Sequence, residues 1–87
     1  MEIIVEGSEY KLNNLKDRTI SQDIKFVNKD LDGTSSEEVL RVLINRHKNL
    51  NHKVKQEENS TIIEKLKECL TLLNERVNRK KEKFKNE

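Results

Sequence analysis

The stretch DGTSSEEVLRVLINRHKNLNHK, residues 32–53, decides the fold of this chain. Thr34, Ser35 and Ser36 are all favoured N-cap residues, and Glu37 and Glu38 follow Thr34 and Ser35 by three positions, as in a capping box. Acidic residues in this first turn complement the helix dipole. Apolar residues then recur at helical spacing, at Val39, Leu40, Leu43, Leu50 and Val54. The pattern predicts a helix over residues 36–53.

A short polar break, KQEENS at residues 55–60, leads into a second helical pattern. Because the break is short, we expect the two helices to fold back into an antiparallel hairpin. Asn59, Ser60 or Thr61 would cap the second helix. Two overlapping apolar stripes follow, Ile62, Leu66, Cys69, Leu73 and Val77 in one and Ile63, Leu66, Leu70, Leu73 and Val77 in the other. Since Cys69 lies in the first stripe, we expect a buried, structural cysteine.

The residues before the first helix carry β-strand signals. EIIVEGSEYKL, residues 2–12, has a β-branched run and then Gly7-Ser8, which indicates a hairpin turn. RTISQDIKFVNK, residues 18–29, mostly alternates apolar and polar residues. These patterns predict two or three short antiparallel strands. We expect one α+β domain over 1–87, with a β segment at 1–30 and a helical hairpin at 34–85.

The composition predicts a thin core. Of 87 residues 39% are charged, and only three are aromatic. A chain this short buries a modest fraction of its surface, so a homo-oligomer is expected to bury the rest. The single cysteine excludes an intramolecular disulfide and favours a reducing cytoplasm. No apolar run approaches the ~20 residues that cross a membrane.

The sequence shows no arrangement of side chains that is typical of an enzyme active site. His47 and His52 are five residues apart, hence on different faces of the first helix. Two glycines in the whole chain leave no phosphate-binding loop, and one cysteine with two histidines makes no zinc signature. We therefore expect no enzyme, no catalytic residue, no cofactor and no metal. A net charge of +2 with few aromatic residues also argues against nucleic-acid binding.

Cationic residues near the end of the second helix are more informative. Arg76, Arg79 and Lys80 are three and four residues apart and share one side of a helix. They can hold phosphates, or they can be a solvated helix end that complements the dipole. We assign the later lysines, Lys81, Lys83 and Lys85, to the solvated end.

Arg46 and Asn59 can each be interpreted in two ways. Arg46, flanked by Leu43 and Leu50, fits an ion pair or a guanidinium at an interface. Asn59 fits a helix cap or an amide that recognises a base or ribose.

The helical part resembles the hairpin of phage Thoeris anti-defence proteins of the first type, which the related anti-CBASS sponge proteins share. The residues that carry the resemblance are Gly33-Thr34, Glu38-Val39-Leu40, Leu43-Ile44, Arg46, Leu50, Glu58-Asn59, Leu66, Leu70, Leu73, Arg76 and Arg79-Lys80. They cover about half of the chain. The strand-like N-terminal part is also similar to the small β segment of the first type.

The resemblance implies a sponge that binds a cyclic nucleotide immune signal and does not cleave it. Such signals are glycocyclic ADP-ribose isomers from TIR enzymes and, in some members, the cyclic di- or trinucleotides of CBASS. It also implies dimers that assemble into hexamers, as trimers of dimers, in the host cytoplasm. The alternative is a small phage regulator that docks a partner protein through its helical face.

The resemblance also assigns site residues. Asn59 and Arg76 match positions of ligand contact, and Arg76 with Arg79 or Lys80 would hold phosphates. Relatives often carry arginine where Lys80 stands and an aromatic residue where Asn49 stands; Asn49 would join Asn59 at the base or ribose.

The spacing of Asn59 and Arg76 adds a constraint. They are 17 residues apart on one helix, or about 25 Å at 1.5 Å per residue. A ligand roughly 10 Å across cannot reach both within one chain, so a shared pocket requires two antiparallel chains.

Overall fold

The chain is an α+β protein with an N-terminal sheet followed by two helices. The computed structural model describes residues 1–30 and 32–85, with side chains up to Lys80. The elements are β1 (Glu2–Val5), β2 (Glu9–Asn13), β3 (Ser21–Lys25), α1 (Ser36–Lys53) and α2 (Glu57–Lys85). The chain divides into two compact units between Ser36 and Glu37. The predicted fold class is confirmed.

The β unit is a three-stranded antiparallel sheet in the order β1-β2-β3. The turn between β1 and β2 contains Gly7, whose φ of 76° lies in the region that favours glycine. The Ser8 N–H donates to the Val5 carbonyl at 3.0 Å and closes this turn. The predicted hairpin with glycine in its turn is therefore confirmed.

Apolar side chains meet on one face of the sheet. Tyr10 lies opposite Ile3 on one neighbour and opposite Ile24 on the other. The Tyr10 and Phe26 rings make an edge-to-face pair, with centroids 6.0 Å apart and planes at 77°. Such aromatic pairs add about 0.5–1.5 kcal/mol beyond their buried area. All four side chains remain partly exposed, so this face is only a shallow core.

The segment before α1 returns to β3 and closes the unit. The Thr34 N–H donates to the Lys25 carbonyl at 2.7 Å, and the Val27 N–H donates to the Thr34 carbonyl at 2.9 Å. Gly33 makes this approach possible, because a Cβ there would lie 2.5 Å from the Lys25 carbonyl oxygen. Glycine is therefore required at position 33 because there is no room for a Cβ, and not because of the φ angle.

The two helices form the predicted hairpin, and α1 spans the residues that the capping and apolar patterns indicated. The predicted start of the second helix is wrong. The helix begins at Glu57, and the Asn59 N–H already donates to the Gln56 carbonyl at 3.1 Å. Glu57 and Glu58 in the first turn complement the dipole without a cap from Asn59. Asn59 is the third residue of α2, so it does not cap the helix.

Partly buried side chains follow one line along each helix. On α2 this line, here the packed stripe, comprises Asn59, Ile63, Leu66, Leu70 and Leu73. On α1 it includes Leu40, His47 and Asn51, together with Ile44. Among the described side chains Ile44, at 8% exposure, is the one buried apolar side chain. The thin core that the composition predicted is therefore present in both units.

The two residues that belong only to the other predicted apolar stripe of α2, Ile62 and Cys69, are not buried. Ile62 is 38% exposed and Cys69 is exposed, so the expectation of a buried cysteine is wrong. The cause is angular: at 100° per residue, Cys69 lies about 80° around the helix from Asn59, at the side of the packed stripe.

Candidate functional site

The predicted site residues on the second helix lie on one unbroken element. α2 runs for 29 residues and includes Asn59, Arg76, Arg79 and Lys80. The axial rise from Asn59 to Arg76 is therefore about 25 Å. One small ligand cannot bridge these two side chains within a single chain.

The cationic end of α2 is accessible. Arg76, Arg79 and Lys80 are all exposed, and none of them belongs to an ion pair in the described part of the chain. α1 has 18 residues, so in the hairpin the C-terminal third of α2 extends past it. Val77 continues the packed stripe and is nevertheless 39% exposed. The side chains of Lys81, Lys83 and Lys85 lie outside the described part.

The predicted base-recognition residues lie toward the other end of the hairpin. Asn59 is partly buried within the first turn of α2, and Asn49 is exposed near the end of α1. The Asn49 amide donates to the Asn45 carbonyl at 3.0 Å and lies 3.3 Å from the Asn45 Oδ1. Its side-chain oxygen therefore keeps room for a further donor.

Arg46 is exposed on α1 and lines a shallow concavity with Glu38, Arg41, Val42 and Asn45. The neighbouring Arg41 pairs with Glu38 at 3.2 Å, whereas Arg46 is in none of the described ion pairs. Its guanidinium is thus available at the surface, but the structure does not bring it to Arg76.

A second line of side chains along α2, the open stripe, was not singled out by sequence reasoning. It comprises Glu58, Ile62, Lys65, Cys69, Leu72 and Arg76, all exposed. A concavity runs along its first half and includes Ile62, Leu66 and Cys69 in its lining. The signal was present in the sequence, because Ile62, Cys69 and Arg76 recur at intervals of seven.

The described residues hold no group of three or more histidine, cysteine, aspartate or glutamate side chains placed to bind a metal ion. Within the same part of the chain, neither helix combines the length and hydropathy that a membrane span requires. No protein family, curated protein or solved structure matches this chain.

Proposed function

We propose that this protein is a phage anti-defence sponge that binds a cyclic nucleotide immune signal in the host cytoplasm and holds it without cleaving it. The proposal starts from the resemblance of the helical part to Thoeris anti-defence proteins of the first type. The observation that carries it is the group of three exposed cations, Arg76, Arg79 and Lys80, in none of the described ion pairs. Such a group can bind the phosphates of glycocyclic ADP-ribose isomers or CBASS cyclic nucleotides.

Each cation has a distinct role in the proposed contact. The Arg76 guanidinium offers a planar fork that matches two phosphate oxygens at once. Arg79 and Lys80, three and four residues further on, lie on adjoining parts of the same helix surface. They add charge close to Arg76, so a pyrophosphate or two separate phosphates can be held together.

The amides supply recognition of the base or ribose. Asn59 and Asn49 each carry two N–H donors and one oxygen acceptor. Asn59 lies about 25 Å from Arg76 along α2, so the proposed pocket takes Asn59 from one subunit and Arg76 from another. The proposed assembly is a homodimer, and three such dimers would form the hexamer. The thin core supports assembly, because one chain leaves Val42 61% and Leu72 63% exposed.

Thermal unfolding with a panel of candidate ligands tests the function. Cyclic ADP-ribose isomers, cyclic dinucleotides and cyclic trinucleotides are added at micromolar concentration, and the ligand is recovered after heating the complex. A ligand present at 100 times its Kd raises the unfolding free energy by about 2.7 kcal/mol. We expect one class to raise the Tm and to be recovered unmodified. Recovery of a cleaved product would contradict the sponge.

Arg76→Ala tests the phosphate contact. Hydrogen bonds to charged groups contribute about 1.5–3 kcal/mol, so we expect the ligand Kd to rise roughly 10- to 100-fold by calorimetry. Lys67→Ala is the matched control, because Lys67 is exposed on the same helix about 180° around from Arg76. Arg76→Lys keeps the charge and loses the fork, so its Kd should fall between the two. Equal Kd values for Arg76→Ala and Lys67→Ala would exclude Arg76 from the site.

The competing function is a regulator that docks another protein on its helical face. The exposed apolar side chains Ile62 and Leu72 favour this alternative. It predicts no change of Tm with any member of the ligand panel.

A further inference from the structure

A cleft in the β unit contains none of the residues assigned to the proposed function. It has a volume of about 550 Å³, within the range of small-molecule sites, and residues of all three strands and of the loop between β2 and β3 line it. The concavities along α1 and α2 are each lined by residues of a single helix. Because several segments meet at the cleft in the β unit, it can contact a ligand from more than one side.

The floor of the cleft is the polar face of the sheet. Lys11 and Asn13 alternate with their neighbours along β2, so both side chains leave the sheet on the face opposite Tyr10. The strand register places Glu2 beside Lys11 and Ser21 beside Asn13. All four polar side chains line the cleft. The floor therefore presents one cation, one carboxylate, one amide and one hydroxyl group.

Lys11 lies between two carboxylates and is still free to bind a ligand. Glu2 is its neighbour on β1, and Asp23 is its neighbour on β3. Lys11 is in none of the described ion pairs, whereas Lys25, on the same face of the sheet, pairs with Glu9 at 3.8 Å. The Lys11 ammonium group is therefore available to a ligand in the cleft.

The loop over residues 14–20 supplies a second cation. Asn14 Oδ1 accepts the Lys16 N–H at 2.9 Å and the Asp17 N–H at 3.0 Å, and these bonds hold the loop in a defined shape. The Asp17 carboxylate accepts two hydrogen bonds from Thr19 and does not line the cleft. Arg18 does line the cleft and is in none of the described ion pairs. Its guanidinium group is therefore free to bind an anion there.

Hydrogen-bond donors outnumber acceptors among the charged groups of the cleft. Lys11 offers three N–H donors and Arg18 offers five, whereas Glu2 is the one carboxylate in the lining. Asn14 keeps both of its Nδ2 donors, because its oxygen already accepts two bonds. A phosphate monoester has a charge of about −1.5 to −2 at pH 7 and three acceptor oxygens, so it matches two cations better than a single carboxylate does.

Two apolar side chains at the cleft are left exposed to water. Leu15 is 96% exposed and Ile20 is 52% exposed, and both belong to the lining. An apolar group attached to the phosphate would cover part of this surface. We propose that the cleft binds a small organic phosphate monoester, in which Lys11 and Arg18 hold the phosphate and the two apolar side chains contact the attached group.

Phenyl phosphate is the probe, because it joins a phosphate to a small apolar ring. In an NMR titration at low ionic strength, we expect the amide signals of residues 11–21 to shift with a Kd on the order of 1 mM. Inorganic phosphate lacks the ring and should bind about tenfold more weakly. Phenol lacks the charge and should leave these signals in place. The proposal is overturned if phenyl phosphate does not shift them, or if inorganic phosphate binds as tightly.

Variants that remove one charge each test the two cations. Lys11→Gln and Arg18→Gln should each raise the Kd of phenyl phosphate about tenfold or more. Lys16→Gln in the same loop and Lys25→Gln on the same sheet face remove the same charge outside the lining, so they should change it less than about threefold. All four positions are exposed, so folding should be retained and is checked in the same spectra. Equal losses in Lys16→Gln and Arg18→Gln would overturn the site, because they would show general attraction to a basic surface.

Glu2 gives an effect of the opposite sign. Its carboxylate lines the cleft beside Lys11 and repels an anion bound there, so Glu2→Gln should lower the Kd about threefold or more. Glu6→Gln is the matched control, because Glu6 is exposed and lies outside the lining. An equal gain in the two variants would contradict a phosphate bound between Lys11 and Arg18.

A lipid can present the same phosphate monoester. Vesicles of equal parts phosphatidylcholine and phosphatidic acid test this source by co-sedimentation with the protein. We expect phenyl phosphate to bind in their absence. If the protein sediments with the vesicles and phenyl phosphate shifts no signal, the partner is a membrane surface and the proposed cleft site is wrong.

The cleft and the proposed function can fail separately. Arg76→Ala should leave the Kd of phenyl phosphate at residues 11–21 unchanged, and Arg18→Gln should leave any Tm shift with a cyclic nucleotide unchanged. If phenyl phosphate binds in the cleft and no cyclic nucleotide raises the Tm, the cleft site stands and the sponge fails. The reverse pair of results would remove the cleft site and keep the sponge.

Discussion

The β unit and the helical hairpin both have little buried apolar surface, and they are stabilised in different ways. The β unit depends on backbone geometry: a turn at Gly7, a close approach at Gly33 and hydrogen bonds from Thr34 and Val27 that close it. The hairpin depends on the spacing of side chains along its helices. We therefore expect a single added methyl group to disrupt the β unit. The hairpin should tolerate many surface changes, and this leaves its exposed side chains free for binding.

The largest effect is expected at Gly33. Gly33→Ala places a Cβ 2.5 Å from the Lys25 carbonyl oxygen, and the backbone must move to admit it. Overpacking of this kind costs up to about 3 kcal/mol. We expect NMR signals of the sheet to lose their dispersion at a lower temperature while the helical circular dichroism of the hairpin is kept.

Gly7→Ala is the control for Gly33→Ala, because nothing lies within 4 Å of an added Cβ there. Its cost comes from the φ of 76° and should be about 1–2 kcal/mol. If Gly7→Ala destabilised the sheet more than Gly33→Ala, the close approach to Lys25 would not be what holds this unit together.

A matched pair of leucines tests the hairpin. Leu70 is on the packed stripe of α2, and Leu72, two residues later, is on the open stripe. Leu70→Ala removes partly buried methyl groups, so we expect the unfolding free energy to fall by about 2 kcal/mol, measured by urea unfolding at low protein concentration. Leu72→Ala should change it by at most about 0.5 kcal/mol under those conditions.

In an assay of dimer formation, Leu72→Ala should have a larger effect than Leu70→Ala, the reverse of their effects on unfolding. Leu72→Ala is expected to raise the Kd of the proposed dimer about tenfold, because Leu72 is 63% exposed in one chain and its side chain is free to be covered by a second. If Leu72→Ala destabilised the dilute protein as much as Leu70→Ala, the distinction between packed and open stripes would be wrong.

The smallest effect concerns the loop between β2 and β3, outside both helices. The Thr19 hydroxyl donates to Asp17 Oδ1 at 2.6 Å and the Thr19 N–H donates at 2.9 Å, and these bonds hold the pKa of the Asp17 carboxyl below its usual range. Because the folded pKa is the lower one, this contribution to stability is present above the unfolded pKa and is lost as the pH falls through the folded pKa.

Thr19→Val removes the hydroxyl bond, so the Asp17 pKa should rise toward its usual value in an NMR titration, whereas Thr19→Ser should leave it low. The stability difference between the two variants should be small at neutral pH and absent below the folded pKa. An Asp17 pKa that is the same in both variants would show that the hydroxyl does not lower it.

Local patterns in the sequence were enough to predict most of the fold. The capping-box pattern over residues 34–38 and the apolar spacing after it predicted α1 with its bounds. Gly7 predicted the first hairpin because only a few residues adopt its φ. These features depend on neighbours in sequence, which a single chain displays directly.

Features that depend on neighbours in space were not predicted. Cys69 and Leu70 are adjacent and both apolar, and the spacing alone did not show that Leu70 is packed and Cys69 exposed. The start of α2 at Glu57 was missed because Asn59 and Ser60 are stronger capping residues than Gln56. At the candidate site, the spacing of Asn59 and Arg76 predicted their separation of about 25 Å along α2. The seven-residue recurrence of Ile62, Cys69 and Arg76 did not by itself show that these side chains are exposed.

A complementation assay tests the two-chain pocket most directly. Asn59→Ala and Arg76→Ala are each expected to lose binding of the ligand that the Tm panel identifies. When the two variants are mixed and allowed to exchange subunits, half of the dimers combine one of each, and each of these has one pocket with both Asn59 and the partner's Arg76 intact. Calorimetry should then recover about a quarter of the wild-type binding capacity at wild-type affinity. A mixture that binds no more ligand than either variant alone would contradict the two-chain pocket.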